Sequence, residues 1–476
     1  MARPRLRPER PMRTEPAQRV RETAEGAGRR RFFGTDGIRG EVGLPPMTPE
    51  WVLKLGWAAG CVLGRDQAHR GVVIGKDTRN SGYLFESALE SGLSAAGASV
   101  FLLGPFPTPG VSYLTTAIGA AAGVVISASH NPYEDNGIKF FGPDGRKLPD
   151  ALEREIEERL QEPLKLVSLG TLGQVRRLDD ASERYLDFCL ASVPADMSLS
   201  GWTICVDCAH GATYRLAPAL FERLGARVIP IGVDPNGVNI NHEVGSLHPE
   251  TLARTVLAHR ADLGVAFDGD GDRVILVDAR GEIVDGDAVL YILACDRLAE
   301  HRLHGPVVGT VMSNLGLEES LRERQIPFCR APVGDRHVLA RLEAEGGVLG
   351  GESSGHVIHL DLSPTGDGLI TALQVIRAIW REARPLSSLL SGLNRYPQKT
   401  VNIAWPRDCG LPDSQEMSPD LESARRLLGS PARILIRPSG TEPLLRVTVE
   451  GGEAGTLEQA TRQLVERLTE LRDAAR

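Results

Sequence analysis

The sequence predicts an α/β protein with three doubly wound α/β units and a small C-terminal α+β unit. Three observations carry this. First, short Val- and Ile-rich runs recur, each ending in a polar, Gly-rich loop and then a helical pattern. They are GVVIGKDTR from Gly71, GVVISASHNP from Gly123, TICVDCAHGA from Thr203, LGVAFDGDGDR from Leu263 and PVVGTVMSN from Pro306. Runs this apolar read as strands covered on both faces, as in parallel sheets. Second, helical stretches over 86–96, 217–224 and 315–324 supply the crossovers. Third, the rhythm changes near the end. VNIAW, ARILIRPSGTEP and LLRVTVEGG alternate as strands, with helices expected over 419–428 and 457–471.

Taken in order, residues 1–31 come first. They are Arg- and Pro-rich with few large apolar residues, so burial there does not offset the entropy of ordering. A disordered basic tail is expected. No apolar stretch follows as a signal peptide requires, and Glu9, Glu15, Glu22 and Glu25 argue against a transit peptide. The α/β units are then expected over 32–163, 178–282 and 286–394, and the α+β unit over 397–472.

The 476 residues carry 54 Lys and Arg against 62 Asp and Glu, a formal charge of -8, which disfavours a general nucleic-acid binder. No apolar run approaches the roughly 18 residues of a membrane span. Seven scattered cysteines fit a reducing compartment, hence the cytoplasm. Cys205 and Cys208 are the one close pair. Zinc needs a second ligand pair, and haem attachment needs a His where Ala209 stands. They read as plain strand-end cysteines.

Ligands of such sheets bind beyond the carboxyl ends of strands, where the unusual loops fall. In FDGDGDR, Asp268, Asp270 and Asp272 alternate with glycines directly after an apolar run. Three carboxylates so close repel unless a cation sits among them, and an all-oxygen set suits Mg²⁺ or Ca²⁺. An EF-hand fails, because Arg273 and Ala279 stand where Gly and Glu are needed. In ISASHNP, Ser129 sits in a tight turn without the G-x-S-x-G elbow. It reads either as a turn former or as a phosphoryl carrier. A phosphoserine brings about −2 charge, which a Mg²⁺ among the three aspartates would bridge.

Two further loops are polar. In IRPSGTEP, Arg437 offers a planar fork for phosphate oxygens, Ser439 and Thr441 offer hydroxyls, and Gly440 exposes backbone N–H groups, with Arg446 just beyond. In GGESSGH, Glu352 and Ser354 suit neighbouring sugar hydroxyls, and His356 titrates near neutrality. Taken singly, each also reads as an ordinary turn. Lys139 in NGIKFF and Arg39 in FGTDGIRG read equally as surface charges.

These four loops, in this order, resemble the α-D-phosphohexomutase superfamily. The likeness covers residues 32–472. FGTDGIRG (33–40), LKLGWAAG (53–60), DPNGVNIN (234–241), PVGDRHV (332–338) and PTGDG (364–368) are most similar to its bacterial branch acting on glucosamine phosphates. The resemblance implies four domains around a central cleft. It implies Ser129 as the phosphoserine, and one Mg²⁺ per chain on Asp268, Asp270, Asp272 and a Ser129 phosphate oxygen. Glu352 and Ser354 would bind sugar. Arg437, Ser439, Gly440, Thr441 and Arg446 would bind phosphate. Lys139, Arg39, Arg273 and His356 match positions tied to proton transfer or charge stabilisation. His210 departs from the pattern, standing where Asn is usual.

The implied enzyme is an isomerase. It would interconvert glucosamine 6-phosphate and glucosamine 1-phosphate toward UDP-N-acetylglucosamine, primed by glucosamine 1,6-bisphosphate or glucose 1,6-bisphosphate. The only partner implied is the sugar phosphate, with neither nucleic acid nor membrane, in a monomer or homodimer. A phosphomannomutase or phosphoglucomutase is the near alternative. A Mg²⁺-dependent sugar phosphatase is the alternative of another class. It would share the metal loop but need no separate phosphate cradle. A catalytically silent sugar-phosphate sensor would lack the nucleophile or a metal ligand, and this chain keeps all of them.

Overall fold

A computed structural model describes residues 31–64, 71–406, 409–410, 414–439 and 443–474. The expected tail falls outside these residues except for Arg31. That residue is tied down, its backbone N–H donating to Glu157 Oε2 at 2.7 Å.

The first unit runs β1 (Ile38–Glu41), α1 (Pro49–Leu63), β2 (Val72–Lys76), α2 (Asn80–Ala95), β3 (Val100–Pro105), α3 (Thr108–Ala117), β4 (Ala122–Ile126), β5 (Asp135–Phe141), α4 (Asp150–Arg159) and β6 (Val175–Arg177). Its sheet has the order β1-β5-β4-β2-β3-β6. The second runs α5 (Ala181–Leu190), β7 (Thr203–Asp207), α6 (Leu216–Arg223), β8 (Arg227–Ile231), α7 (Pro249–His259), β9 (Leu263–Phe267), β10 (Val274–Asp278) and β11 (Ile283–Val284). Its order is β11-β10-β9-β7-β8.

The third unit contains α8 (Gly286–Ala299), β12 (Val307–Thr310), α9 (Leu315–Glu323), β13 (Phe328–Ala331), α10 (Asp335–Glu345), β14 (Leu349–Gly351), β15 (Val357–His359), α11 (Gly368–Glu382) and α12 (Leu386–Leu389), with order β13-β12-β14-β15. The fourth is β16 (Gln398–Ala404), α13 (Ser414–Leu428), β17 (Ala432–Pro438), β18 (Leu444–Gly451) and α14 (Ala454–Ala474), with order β16-β18-β17.

The fold class is the expected one, but the sheets are mixed rather than purely parallel. The runs ending in Ser129 and in Asp268 are not followed by helices. Each turns straight back as an antiparallel partner, β5 after β4 and β10 after β9. NGIKFF and VILVD are apolar enough to return into the same buried sheet, which a helical crossover pattern would not do. β14–β15 and β17–β18 are antiparallel pairs too. All four candidate loops are therefore hairpin tips. Three helices start three or more residues earlier than expected: α2 at Asn80, α13 at Ser414 with Pro419 inside it, and α14 at Ala454.

One buried apolar cluster runs from Val73 and Phe106 through Tyr185 and Val206 to Leu290, Val307 and Leu373, so the first three units share a core. A second, around Leu55, Phe85 and Ile126, covers the outer face of the first sheet. The fourth unit has its own core of Ile403, Ala424, Val447 and Leu464. It meets the third unit through Arg433, which donates to the carbonyls of Val311 at 2.8 Å and Ser313 at 2.9 Å. None of the seven cysteines is in a disulfide; Cys205 is buried within β7 and Cys208 is buried just after it. Among the described residues, no helix is long and apolar enough to cross a membrane.

Candidate active site

The β9–β10 tip gathers Asp268, Asp270 and Asp272, all buried, with oxygens within 4.8 Å of one another. Two glycines permit this. A Cβ on Gly269 would lie 2.5 Å from the Ser129 carbonyl oxygen, and Gly271 has φ +73°, which side chains disfavour. The N-terminus of α3 braces the loop: Thr108 Oγ1 donates to Asp270 Oδ2 at 2.6 Å, and Thr108 N–H to the Asp270 carbonyl at 2.9 Å.

The β4–β5 tip brings Ser129 to this cluster, where its Oγ donates to Asp268 Oδ2 at 2.6 Å. Ser129 is buried with φ +52°, a left-handed conformation uncommon outside glycine. Its surroundings hold it there. Its N–H donates to Ser127 Oγ at 2.9 Å, and Ser127 Oγ donates to Asp77 Oδ2 at 2.6 Å. The fully buried Arg79 pairs with Asp77 at 2.8 Å and donates to the carbonyls of Ser129 at 3.1 Å and Asn131 at 2.8 Å. Asn241 also donates to the Ser129 carbonyl, at 2.9 Å.

None of these bracing residues was expected. Asp77 and Arg79 lie in GVVIGKDTR, where an ion pair directly after an apolar strand was the available signal. His130 was also missed. Its Nδ1 lies 3.3 Å from Ser129 Oγ, and burial, then Arg273 and Arg39, push its pKa down to about 4, so it is neutral at pH 7.

Lys139 is no surface charge. It is 2% exposed, with Nζ at 2.8 Å from Asp270, 3.1 Å from Asp36 and 3.6 Å from Asp272. Burial opposes its charge, but Asp270, Asp36 and Asp272 outweigh burial and raise its pKa. His356, at the β14–β15 tip, approaches Asp272 at 3.6 Å. Burial would lower its pKa, yet Asp272, Asp335 and Glu352 raise it to about 9. Arg273 lies 3.8 Å from Asp272, and Arg39 pairs with Asp36. Glu352 Oε1 accepts from Gly334 N–H at 2.9 Å. Ser354 borders a cavity of about 670 Å³ with Asp287, Asn314 and Tyr396.

Several buried atoms have no hydrogen-bond partner among the described residues. They include Asp270 Oδ1, Asp272 Oδ1, Arg39 Nε, Arg273 Nε, Ser354 Oγ and His356 Nε2. Burial, then the charges of Asp272 and Asp270, push the Asp268 pKa well above the carboxylate range. An all-oxygen set with orphaned, mutually repelling carboxylates fits a hard divalent cation such as Mg²⁺.

The residues expected to form a phosphate cradle belong to the fourth unit. Arg437 and Arg446 sit directly opposite across β17 and β18. Facing like charges are unfavourable, and burial with Arg446 lowers the Arg437 pKa. A bound anion would relieve both. Ser439 N–H donates to the Leu444 carbonyl at 2.8 Å, closing the hairpin. Gly440 and Thr441 lie outside the described residues. His210 has φ +50°, a conformation Asn favours and His tolerates, so the departure at this position fits the backbone.

Four family models match in order. They are the phosphoglucomutase/phosphomannomutase alpha/beta/alpha domains I over residues 30–166, II over 183–281 and III over 285–396, and the C-terminal domain over 411–467. The chain belongs to the phosphoglucomutase/phosphomannomutase family.

Within this family, the chain is 56% identical to a phosphoglucosamine mutase of Alkalilimnicola ehrlichii, over 89% of this chain and 94% of that one. It is 53% identical to that of Methylococcus capsulatus, over 92% and 98%. Two solved structures share the fold. A phosphoglucomutase/phosphomannomutase family protein from Burkholderia thailandensis has a TM-score of 0.76 at 24% identity, covering 92% of this chain and 97% of that one. Aspergillus fumigatus N-acetylphosphoglucosamine mutase, solved with GlcNAc-6P and magnesium, has a TM-score of 0.67 at 16% identity, covering 94% and 97%.

Proposed function

We propose that this chain interconverts glucosamine 6-phosphate and glucosamine 1-phosphate through a phosphoserine at Ser129 and a bound glucosamine 1,6-bisphosphate. The observation that carries the reading is Ser129 Oγ at 2.6 Å from Asp268, inside a buried cluster of three carboxylates, Lys139 and His356. The similarity to phosphoglucosamine mutases supports the choice of sugar. In this reading the functional units run over 32–163, 178–282, 286–394 and 397–472.

One Mg²⁺ per chain, held by Asp268, Asp270, Asp272 and a phosphate oxygen on Ser129, would supply charge neutralisation for the transferring phosphoryl group. The serine O–P bond breaks as a bond to the free sugar oxygen forms, and the proton of that sugar hydroxyl ends on Ser129 Oγ. After the bisphosphate turns over, its other O–P bond breaks and the serine ester is restored. Lys139 and His356 stabilise charge on the phosphoryl oxygens and are placed to protonate the departing sugar oxygen. Glu352 and Ser354 hold sugar hydroxyls. Arg437, Ser439, Gly440, Thr441 and Arg446 grip the phosphate that is not reacting. Closing the cleft excludes water, which would otherwise take the phosphoryl group. Glucosamine 1,6-bisphosphate or glucose 1,6-bisphosphate primes Ser129.

Rates with glucosamine-, glucose- and mannose-phosphates, measured side by side, test the reading. Glucosamine phosphate is expected to turn over fastest. A faster glucose or mannose phosphate would favour the near alternative, and release of inorganic phosphate ahead of isomer would favour a phosphatase. Arg437→Ala is expected to weaken substrate binding and also slow turnover, since remote binding energy helps hold the reacting end in place. Loss of a charge-assisted contact costs about 1.5–3 kcal/mol, or roughly ten- to a hundredfold. Steady-state kinetics within twofold of wild type would count against the cradle.

A further inference from the structure

Lys147 lies in the turn after β5, in GPDGRKLP, and the reaction described above gives it no part. Its Nζ is 2.5 Å from Asp36 Oδ1 and 2.5 Å from Asp335 Oδ2. Asp36 belongs to the opening loop of the first unit, while Asp335 begins α10 in the third. The other oxygen of Asp36 contacts Lys139 at 3.1 Å and pairs with Arg39. Asp335 Oδ2 in turn lies 3.9 Å from His356 Nε2. The result is a row of alternating charge: Lys139, Asp36, Lys147, Asp335, His356. Its two ends are the proton-transfer candidates, contributed by different units.

Simple interface bonding does not account for Lys147. The same seam has an independent latch in Arg336, which pairs with the buried Glu153, lies 3.1 Å from Asp150 and donates to the Leu148 carbonyl at 3.4 Å. Arg146 also pairs with Glu343 across it. Lys147 joins two carboxylates that each touch a candidate catalytic group, Asp36 on Lys139 and Asp335 on His356, beside the direct link that Asp272 makes between those two groups. Burial by itself would raise the Asp36 pKa, but Lys139, then Lys147 and Arg39, hold it well below the carboxylate range.

We propose that Lys147 is a positioning residue for phosphoryl transfer, its ammonium holding Asp36 and Asp335 so that Lys139 and His356 face one substrate. This rests on the mutase reading. Its energetic basis is orientation: a catalytic group displaced by about 1 Å can lose on the order of a hundredfold in rate. Without the ammonium, two carboxylates face each other and push the ends of the row apart. The fold itself stays latched by Arg336.

The test compares Lys147→Met with Arg336→Met in the full-length enzyme on glucosamine 6-phosphate. Lys147→Met is expected to lower kcat by roughly ten- to a hundredfold with KM changed less than about threefold. Lys147→Arg, which keeps the charge, should recover a large part of that loss. Arg336→Met should lower Tm while leaving kcat within about threefold of wild type. Should Lys147→Met not fold, Lys147→Gln is read the same way. Wild-type kcat in the Lys147 variant, or kcat losses that follow Tm equally in both variants, would overturn the proposal alone. A wild-type enzyme inactive on every sugar phosphate would sink the mutase reading and the proposal with it.

Discussion

Ser129→Ala is expected to lose at least about four orders of magnitude in turnover, the scale on which removing an enzyme nucleophile is felt. Intact-protein mass should show one phosphoryl group on the wild type and none on the variant. The argument rests on one hydroxyl. Ser129 Oγ is directed at Asp268 from a left-handed turn, and among the described residues no other serine has a positive φ. Ser127 is two residues away and also buried, but its hydroxyl donates to Asp77 and accepts from the Ser129 N–H, which makes it part of the brace. Peptide mapping separates the two. A label on Ser127, or turnover surviving in Ser129→Ala, would end the phosphoserine reading.

Removal of divalent cations is expected to have an effect of similar size. The three carboxylates are buried within 4.8 Å, and Lys139 with Arg273 offsets only part of their charge. Excess chelator should abolish activity, and added Mg²⁺ should restore it and raise Tm, because an ion that binds the folded state stabilises it by mass action. Asp270→Asn keeps the shape that receives Thr108 and Lys139 but removes a charge. It should weaken Mg²⁺ binding and lower turnover together, by roughly a hundred- to a thousandfold. Full activity in excess chelator would rule the metal loop out.

The fold class and the four loops were legible in the sequence for one reason. Each loop is the tip of a hairpin whose strands are strongly apolar, so its polar and glycine residues stand out. The return strands were harder to read, because NGIKFF and VILVD are short apolar runs without a direction of their own. Sequence distance hid the rest. Folding places Arg79 under Ser129, 50 positions away. Lys147 acquires its role only when Asp36, 111 positions earlier, and Asp335 in another unit close on it. No local spacing encodes a contact of that kind.

The φ of +52° at Ser129 sets two kinds of selection against each other. A side chain held there costs about 1–2 kcal/mol, which the network of Asp77, Arg79 and Asn241 has to absorb. Glycine would adopt the same backbone without that strain, yet it has no side-chain nucleophile to receive a phosphoryl group. A screen for thermostability alone would therefore drift toward Ser129→Gly and select a sturdier, inactive protein. Of the two dead variants, Ser129→Gly should melt no lower than Ser129→Ala, despite having one carbon fewer to bury. Ancestral or consensus stabilisation of this enzyme has to leave that one angle uncorrected.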